Sequence, residues 1–300
     1  MGTIWGVGWT QGTRALTATL VGAVLLACAP VVLASPECTP LHTDLVLPSA
    51  LAETSGVTFG TRDPGILWTH NDGSSRLFAL DTLGGSLGSL PVGMRTRDWE
   101  DIAAGRCARH GHCLYVADTG DNQEARSPGD IRILRIAEPS VPLGADIGDV
   151  EVFPIRLPNG ARDVEALFVL PGERLQLVTK GRNHPIAVYA YPPPLRPDTV
   201  TLIEVQTLTR GAQPVTNQVT GAGADPEGTR VALRTYQSMA FYRMEADTLR
   251  PVSGGFVNLR SLRESQGEGI GLGPDGRVAL TSEAGPFGGP PLLSLLRCSI

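Results

Sequence analysis

The chain has 300 residues, a formal charge of −5, 42% hydrophobic residues, 36 glycines and 24 prolines. An acidic balance with no basic stripe excludes a nucleic-acid binder, and the apolar share excludes a disordered chain. Glycine and proline together exceed the usual share of about 12%, so the chain is read as many short elements joined by tight turns.

The first segment reads as an export leader. Arg14 is the only charge before Glu37, and Ala15 to Ala34 runs apolar and small. Val32-Leu33-Ala34 offers a small-residue cleavage site. Residues 1–34 are therefore expected to be a signal peptide, the protein secreted or periplasmic, and residues 35–300 one domain. Leu25-Leu26-Ala27-Cys28 also reads as a lipoprotein box. That alternative anchors the protein by lipid at the cell envelope through Cys28, its one route to a membrane unless the apolar run stays uncleaved as a span. Either processing route leaves Cys38, Cys107, Cys113 and Cys298. An even set in an oxidising compartment favours disulfides.

No amphipathic helix follows. Short strand-like runs recur instead in a fixed order of four. The first copy opens at Ser55 to Phe59, turns at Asp63-Pro64-Gly65, and continues through Ile66 to Thr69, Arg76 to Asp81 and Ser86 to Val92. The second opens at Glu100-Asp101-Ile102 and runs through Leu114 to Asp118, Ile131 to Ala137 and Val150 to Leu157. The third opens at Glu165-Ala166-Leu167 and runs through Leu175 to Lys180, Ile186 to Tyr191 and Val200 to Leu208. The fourth opens near Thr220 and runs through Val231 to Tyr236, Met239 to Met244 and Leu249 to Val257. The fifth opens at Glu268-Gly269-Ile270, continues with Val278 to Ser282 and Leu292 to Cys298, and lacks a fourth strand.

Starts at 55, 100, 165, 220 and 268 are spaced like the blades of a β-propeller, with a loop insertion in the longest interval. The expected fold is all-β, a propeller of five four-stranded blades, with six blades as the alternative and a two-sheet sandwich as the runner-up. Leu41 to Leu47 has no place in the first copy, so it is expected to pair beside residues 292–298 and close the ring. That pairing brings Cys38 to Cys298, and Cys107 and Cys113 flank a hairpin turn in the second copy. The two expected disulfides are Cys38–Cys298 and Cys107–Cys113.

The same topology gathers polar residues at one face. Inner strands begin at Ser55, Glu100, Glu165, Thr220 and Glu268. Second strands end there with His70, Asn71 and Asp72, with Asp118, Asp121 and Asn122, with Lys180 and Arg182, with Arg234, and with Glu283. This mouth is expected to be the ligand site. Glu100, Asp118, Asp121, Glu165 and Glu268 are its candidate ligands for a hard cation such as Ca²⁺, and separated carboxyl pKa values would suit acid–base chemistry. Such residues also serve blade packing by bonding neighbouring backbone. The expected partner is a small polar molecule or a protein, no nucleic acid, and the chain is expected to be a monomer.

At these residues the chain resembles secreted bacterial propellers grouped as phytase-like or esterase-like. The carrying motifs are Gly65 to Asp72 (GILWTHND), Arg97 to Ala103 (RDWEDIA), Leu114 to Asn122 (LYVADTGDN), Asp163 to Leu167 (DVEAL) and Gly267 to Ile270 (GEGI). The resemblance spans about Glu53 to Ser282. It implies the propeller fold and, from the phytases of that group, bound calcium and a basic phosphate site. It carries no catalytic position over to this chain. The functional expectation is a metal-assisted hydrolase of phosphoesters or other esters, with a non-catalytic binding propeller as the alternative.

Three other motifs point away from chemistry. Gly84 to Gly88 matches G-x-S-x-G, but Ser86 opens a strand where a nucleophile elbow needs a helix. Cys107, His110, His112 and Cys113 have a zinc-like composition yet fall in a hairpin turn. The glycines at 267, 269, 271 and 273 precede no helix, so they are read as permitting close approach near the propeller axis.

Overall fold

The computed structural model describes residues 37–144, 146–285 and 289–299. The expected leader and Cys28 lie outside the described residues. The first strand, β1 (Cys38–Val46), belongs to the last blade. Blade one is β2 (Thr54–Phe59), β3 (Ile66–Asn71), β4 (Arg76–Asp81) and β5 (Ser86–Pro91). Blade two is β6 (Trp99–Cys107), β7 (Gly111–Asp118), β8 (Ile131–Ala137) and β9 (Val150–Arg156). Blade three is β10 (Val164–Leu170), β11 (Arg174–Thr179), β12 (Ala187–Ala190) and β14 (Ile203–Thr207), with β13 (Val200–Thr201) intervening in sequence. Blade four is β15 (Val219–Ala224), β16 (Arg230–Thr235), β17 (Ser238–Glu245) and β18 (Thr248–Asn258). Blade five is β19 (Gln266–Leu272), β20 (Arg277–Glu283) and β21 (Leu292–Cys298), completed by β1.

The four strands of every blade pair antiparallel, and the ring holds five blades. The closing strand pairs as expected: Cys38 faces Cys298 and Val46 faces Leu292. Cys38–Cys298 and Cys107–Cys113 are both disulfide-bonded. Bridges of this kind belong to an oxidising compartment, and no helix among the described residues is long and apolar enough to cross a membrane.

The strands alternate because each blade buries both faces against its neighbours. Five apolar wedges result. Trp68 and Trp99, both fully buried, anchor the wedge between blades one and two. Tyr115, Phe153 and Tyr189 fill the next, and Phe168 with Val231 the one after. Phe241 and Leu296 lie between blades four and five, and Leu67, Phe78 and Leu293 close the circle. Full burial of each such side chain contributes roughly 1.5–3 kcal/mol.

One element departs from expectation. Residues 200–208 do not form one strand of blade three. Val200 and Thr201 run parallel to β9 on the outer edge of blade two, and only then does β14 join β12. Leu202, 2% exposed, is the reason: it drops into the wedge between blades two and three, and its N–H donates to the Arg156 carbonyl.

Candidate functional site

Inner strands β2, β6, β10, β15 and β19 surround the axis, and their starts meet the ends of β3, β7, β11, β16 and β20 at one face. The close fit depends on the alternating glycines. A Cβ on Gly269 would collide with the carbonyl oxygen of Ser55 in the next blade. Below the mouth, Asp101 is fully buried and binds three blades together. Its Oδ1 accepts the Ile102 N–H at 2.9 Å, and its Oδ2 accepts those of Leu167 at 2.9 Å and Ala222 at 3.1 Å. Burial pushes its pKa well up, against the pull of those three donors.

Above Asp101 sits the acidic centre. Glu100, Asp163 and Glu165 are all buried, and each presents a carboxylate oxygen within 4.8 Å of the others. Lys180 Nζ donates to Glu165 Oε1 at 2.6 Å and lies 3.9 Å from Asp163 Oδ2. Asp163 Oδ1 accepts the Asp121 N–H, whereas its buried Oδ2 has no hydrogen-bond partner. Arg182 approaches that oxygen at 3.5 Å from the rim. The Glu100 carboxylate makes no hydrogen bond or ion pair among the described residues. It is admitted by Gly120, where any Cβ would overlap Glu100 Oε1. Desolvation, then repulsion from Glu165, raises the Glu100 pKa well above the usual range. Desolvation raises Glu165 likewise, against the attraction of Lys180.

A second acidic pair adjoins this centre. Gln266 Nε2 donates to Glu268 Oε1 at 2.7 Å and to Glu283 Oε2 at 2.9 Å. Burial lifts Glu268 to about 7, while burial and the charges of Glu268 and Asp72 lift Glu283 to about 8. Burial and the Asp72 charge bring Asp98 to about 6. Tyr236, whose ring centroid is 5.9 Å from Lys180 Nζ, is pushed up to about 12, chiefly by burial. Beside the mouth lies a polar cleft of about 440 Å³, lined by Arg97, Asp98, Gly120, Asp121, Asn122 and Arg126 among others.

The expected site residues therefore divide. Glu100, Glu165, Lys180, Glu268, Glu283 and Asp72 come together at the mouth. Asp118 does not join the acidic triad. Its oxygens are held by Arg126 at 3.1 Å and Arg132 at 2.8 Å, and by the N–H groups of Arg97 and Asp98. Asp121 folds the inserted loop by accepting the Ala125 and Arg126 N–H groups, and Asn122 is exposed on that loop. Arg234 is wholly buried, spent on the carbonyls of Gly269 and Thr281 and on Glu264. Asn71 donates to the Ala50 carbonyl.

His70 packs edge-on against Trp99 at 5.4 Å, with Nδ1 3.2 Å from the Asn71 carbonyl oxygen. Burial lowers its pKa to about 4, so it is neutral in the fold. His70, inside β3, points into the wedge, whereas Asp72 lies past the strand's end, at the mouth beside Glu268 and Glu283. Asp163, which completes the acidic triad, and Gln266 were not among the expected site residues. Each stands two residues before an expected carboxylate, Glu165 and Glu268, and that position is the only signal.

Stability should fall with rising pH across this site. Glu268 and Glu283 bind protons more tightly in the folded state than in the unfolded chain. Their contribution is complete below the ordinary carboxyl range and is lost as pH passes about 7 and then about 8. His70 works in the opposite sense, but mainly between about 4 and 6.5. In chelator, calorimetry should therefore give a lower Tm at pH 8.5 than at pH 7. An unchanged Tm would mean that these carboxyls are not held protonated by the fold.

No family model matches the chain, and no curated protein does. Solved structures do. The chain is similar to the PQQ-bound aldose sugar dehydrogenase of Streptomyces coelicolor, at 11% identity over 88% of this chain and 98% of that one, with a TM-score of 0.52. It is similar to the glutaminyl cyclase of Myxococcus xanthus, at 14% identity over 88% of this chain and 97% of that one, with a TM-score of 0.53. The shared fold is the β-propeller. At these identities the likeness concerns architecture alone, and the phytase-like resemblance of the mouth motifs has no matching family model behind it.

Proposed function

We propose that the protein is an exported, monomeric propeller whose mouth holds a hard divalent cation, Ca²⁺ by the chemistry of its donors, and uses it to hydrolyse small phosphoesters or other esters. One observation carries this proposal: three buried carboxylates converge, and Asp163 Oδ2 among them is left without a hydrogen bond. A buried oxygen without a hydrogen bond, reached only by the longer ion pairs of Arg182 at 3.5 Å and Lys180 at 3.9 Å, in an all-oxygen donor set fits Ca²⁺. Glu100, Asp163 and Glu165 would hold it. A bound divalent cation supplies Lewis acidity and a more acidic water. The resemblance of the mouth motifs to phytase-like propellers supports the same choice.

The chain's own groups supply the rest. Arg182 at the rim offers positive charge to an anionic ligand. Glu283, raised to about 8, mostly keeps its proton at neutral pH, and Glu268, raised to about 7, is protonated about half the time; both suit a general acid. The polar cleft beside Asp98 gives a ligand room. A second reading, a binding propeller without turnover, is favoured by the nearby hydroxyls. Ser55 and Ser282 donate to the backbone carbonyls of Glu100 and Glu283, so neither is poised as a nucleophile.

Replacing Glu100 and Glu165 together by Gln should weaken Ca²⁺ binding at least ~100-fold, since even second-shell partners are worth about 10–100-fold in metal sites. The Tm in chelator should fall while the fold persists, because Glu165→Gln takes the charged partner from the buried Lys180 and relief of the Glu100–Glu165 repulsion offsets only part of that loss. Titration calorimetry and thermal melts read both effects. Phosphoester and carboxyl-ester hydrolysis that stops in chelator supports the enzyme, and Ca²⁺ binding without turnover supports the binding propeller. A wild type that binds no Ca²⁺, with a double variant that unfolds, rejects the cation site.

A further inference from the structure

Lys180 is the only lysine among the 25 basic residues of the chain, and it stands inside the acidic centre. Its backbone is fixed on both sides. The N–H donates to the Asp163 carbonyl, and the carbonyl accepts the Val219 N–H. Only the side chain has freedom. Its ammonium contacts Glu165 at 2.6 Å and Asp163 Oδ2 at 3.9 Å, and Lys180 is 5% exposed.

Two positive charges face three carboxylates here, Lys180 from within and Arg182 from the rim, 3.5 Å from Asp163 Oδ2. The Lys180 ammonium satisfies Glu165, leaves Asp163 Oδ2 without a hydrogen bond and does not contact Glu100. A divalent cation bound by the same oxygens at about 2.3–2.6 Å would lie almost against Nζ. Two like charges that close, in a poorly hydrated centre, repel strongly. Cation and ammonium cannot share the position.

We propose that the Lys180 ammonium is a built-in occupant of the cation site, and that a divalent cation binds by displacing it from Glu165 and Asp163 into the mouth. This rests on the cation-site reading above and adds a consequence to it: loading the site liberates a tethered positive charge beside it. Lys180 would then be a positioning residue in two states. Without the cation it holds the carboxylates together, and with the cation bound it is available to an anionic ligand. The site would thus recruit small anions more strongly when loaded, by adding the Lys180 charge to that of Arg182.

Two measurements test the exchange with Ca²⁺ alone as the probe. Lys180→Met removes the competitor, so its Ca²⁺ affinity by titration calorimetry should be at least about tenfold tighter than wild type. In the wild type, lysine-directed reductive methylation, read by mass spectrometry of the Lys180 peptide, should speed up several-fold when Ca²⁺ is added. Because the chain has no other lysine, this second measurement stands even if Lys180→Met does not fold. Wild-type Ca²⁺ binding with equal or weaker binding by Lys180→Met, or with unchanged or slower methylation, overturns the exchange while the cation site stands. If neither protein binds Ca²⁺, both fall.

Discussion

Asp101→Ala is expected to destabilise the propeller by about 3 kcal/mol or more, from three buried backbone donors left unmatched at roughly 1–3 kcal/mol each. Those donors come from three inner strands, since Asp101 accepts from its own strand at Ile102 and from Leu167 and Ala222 in the next two blades. Against a total of about 5–15 kcal/mol for a typical domain, such a loss threatens folding outright. Asp101→Asn should cost less. An amide oxygen placed where Oδ2 stands keeps the two inter-blade bonds and gives up only the local one. Urea unfolding of both variants checks the order. An Asp101→Ala protein within about 1 kcal/mol of wild type would show that water or a shifted strand replaces the carboxylate.

The ring-closing disulfide should matter at least as much. Cys38 and Cys298 are separated by 260 residues, against 6 for Cys107 and Cys113. Loop-closure entropy in the unfolded chain then favours the first bridge by about 5.5 kcal/mol and the second by about 2. Replacing Cys38 and Cys298 by Ser should therefore lower the urea midpoint far more than the equivalent change at Cys107 and Cys113. It should also raise hydrogen exchange in β1, whose one strand partner among the described residues is β21. Equal losses for the two double variants would mean that the unfolded chain keeps its ends together without the bond.

The fold was legible because its signals are periodic and redundant. Four strands recur, the fifth copy is one short, and Leu41 to Leu47 is left over. Each fact constrains the others, and the cysteines at the two ends agree. The site was legible only to the level of strand ends. Topology brings Asp118, Arg234 and His70 to the right face, but alternation and partners decide where each side chain goes. Asp118 is claimed by Arg126 and Arg132, the first of them on the inserted loop. Arg234 is claimed by the next blade's carbonyls and Glu264. Gln266 and the diversion of Val200 onto blade two have no periodic signature. Single contacts, not patterns, set them.

The position of β1 bears on how the molecule is made. The strand that emerges first during synthesis completes the sheet that emerges last, so residues 38–46 stay unpartnered until 292–298 have appeared. Four blades can form from contiguous sequence as the chain lengthens, whereas the fifth must wait for both ends. A pairing of such long sequence separation is slow to find. An open ring exposes two sheet edges to other strands meanwhile. On the export route proposed above, this order would have an advantage: the closed and locked form can arise only after residues 292–298 have crossed.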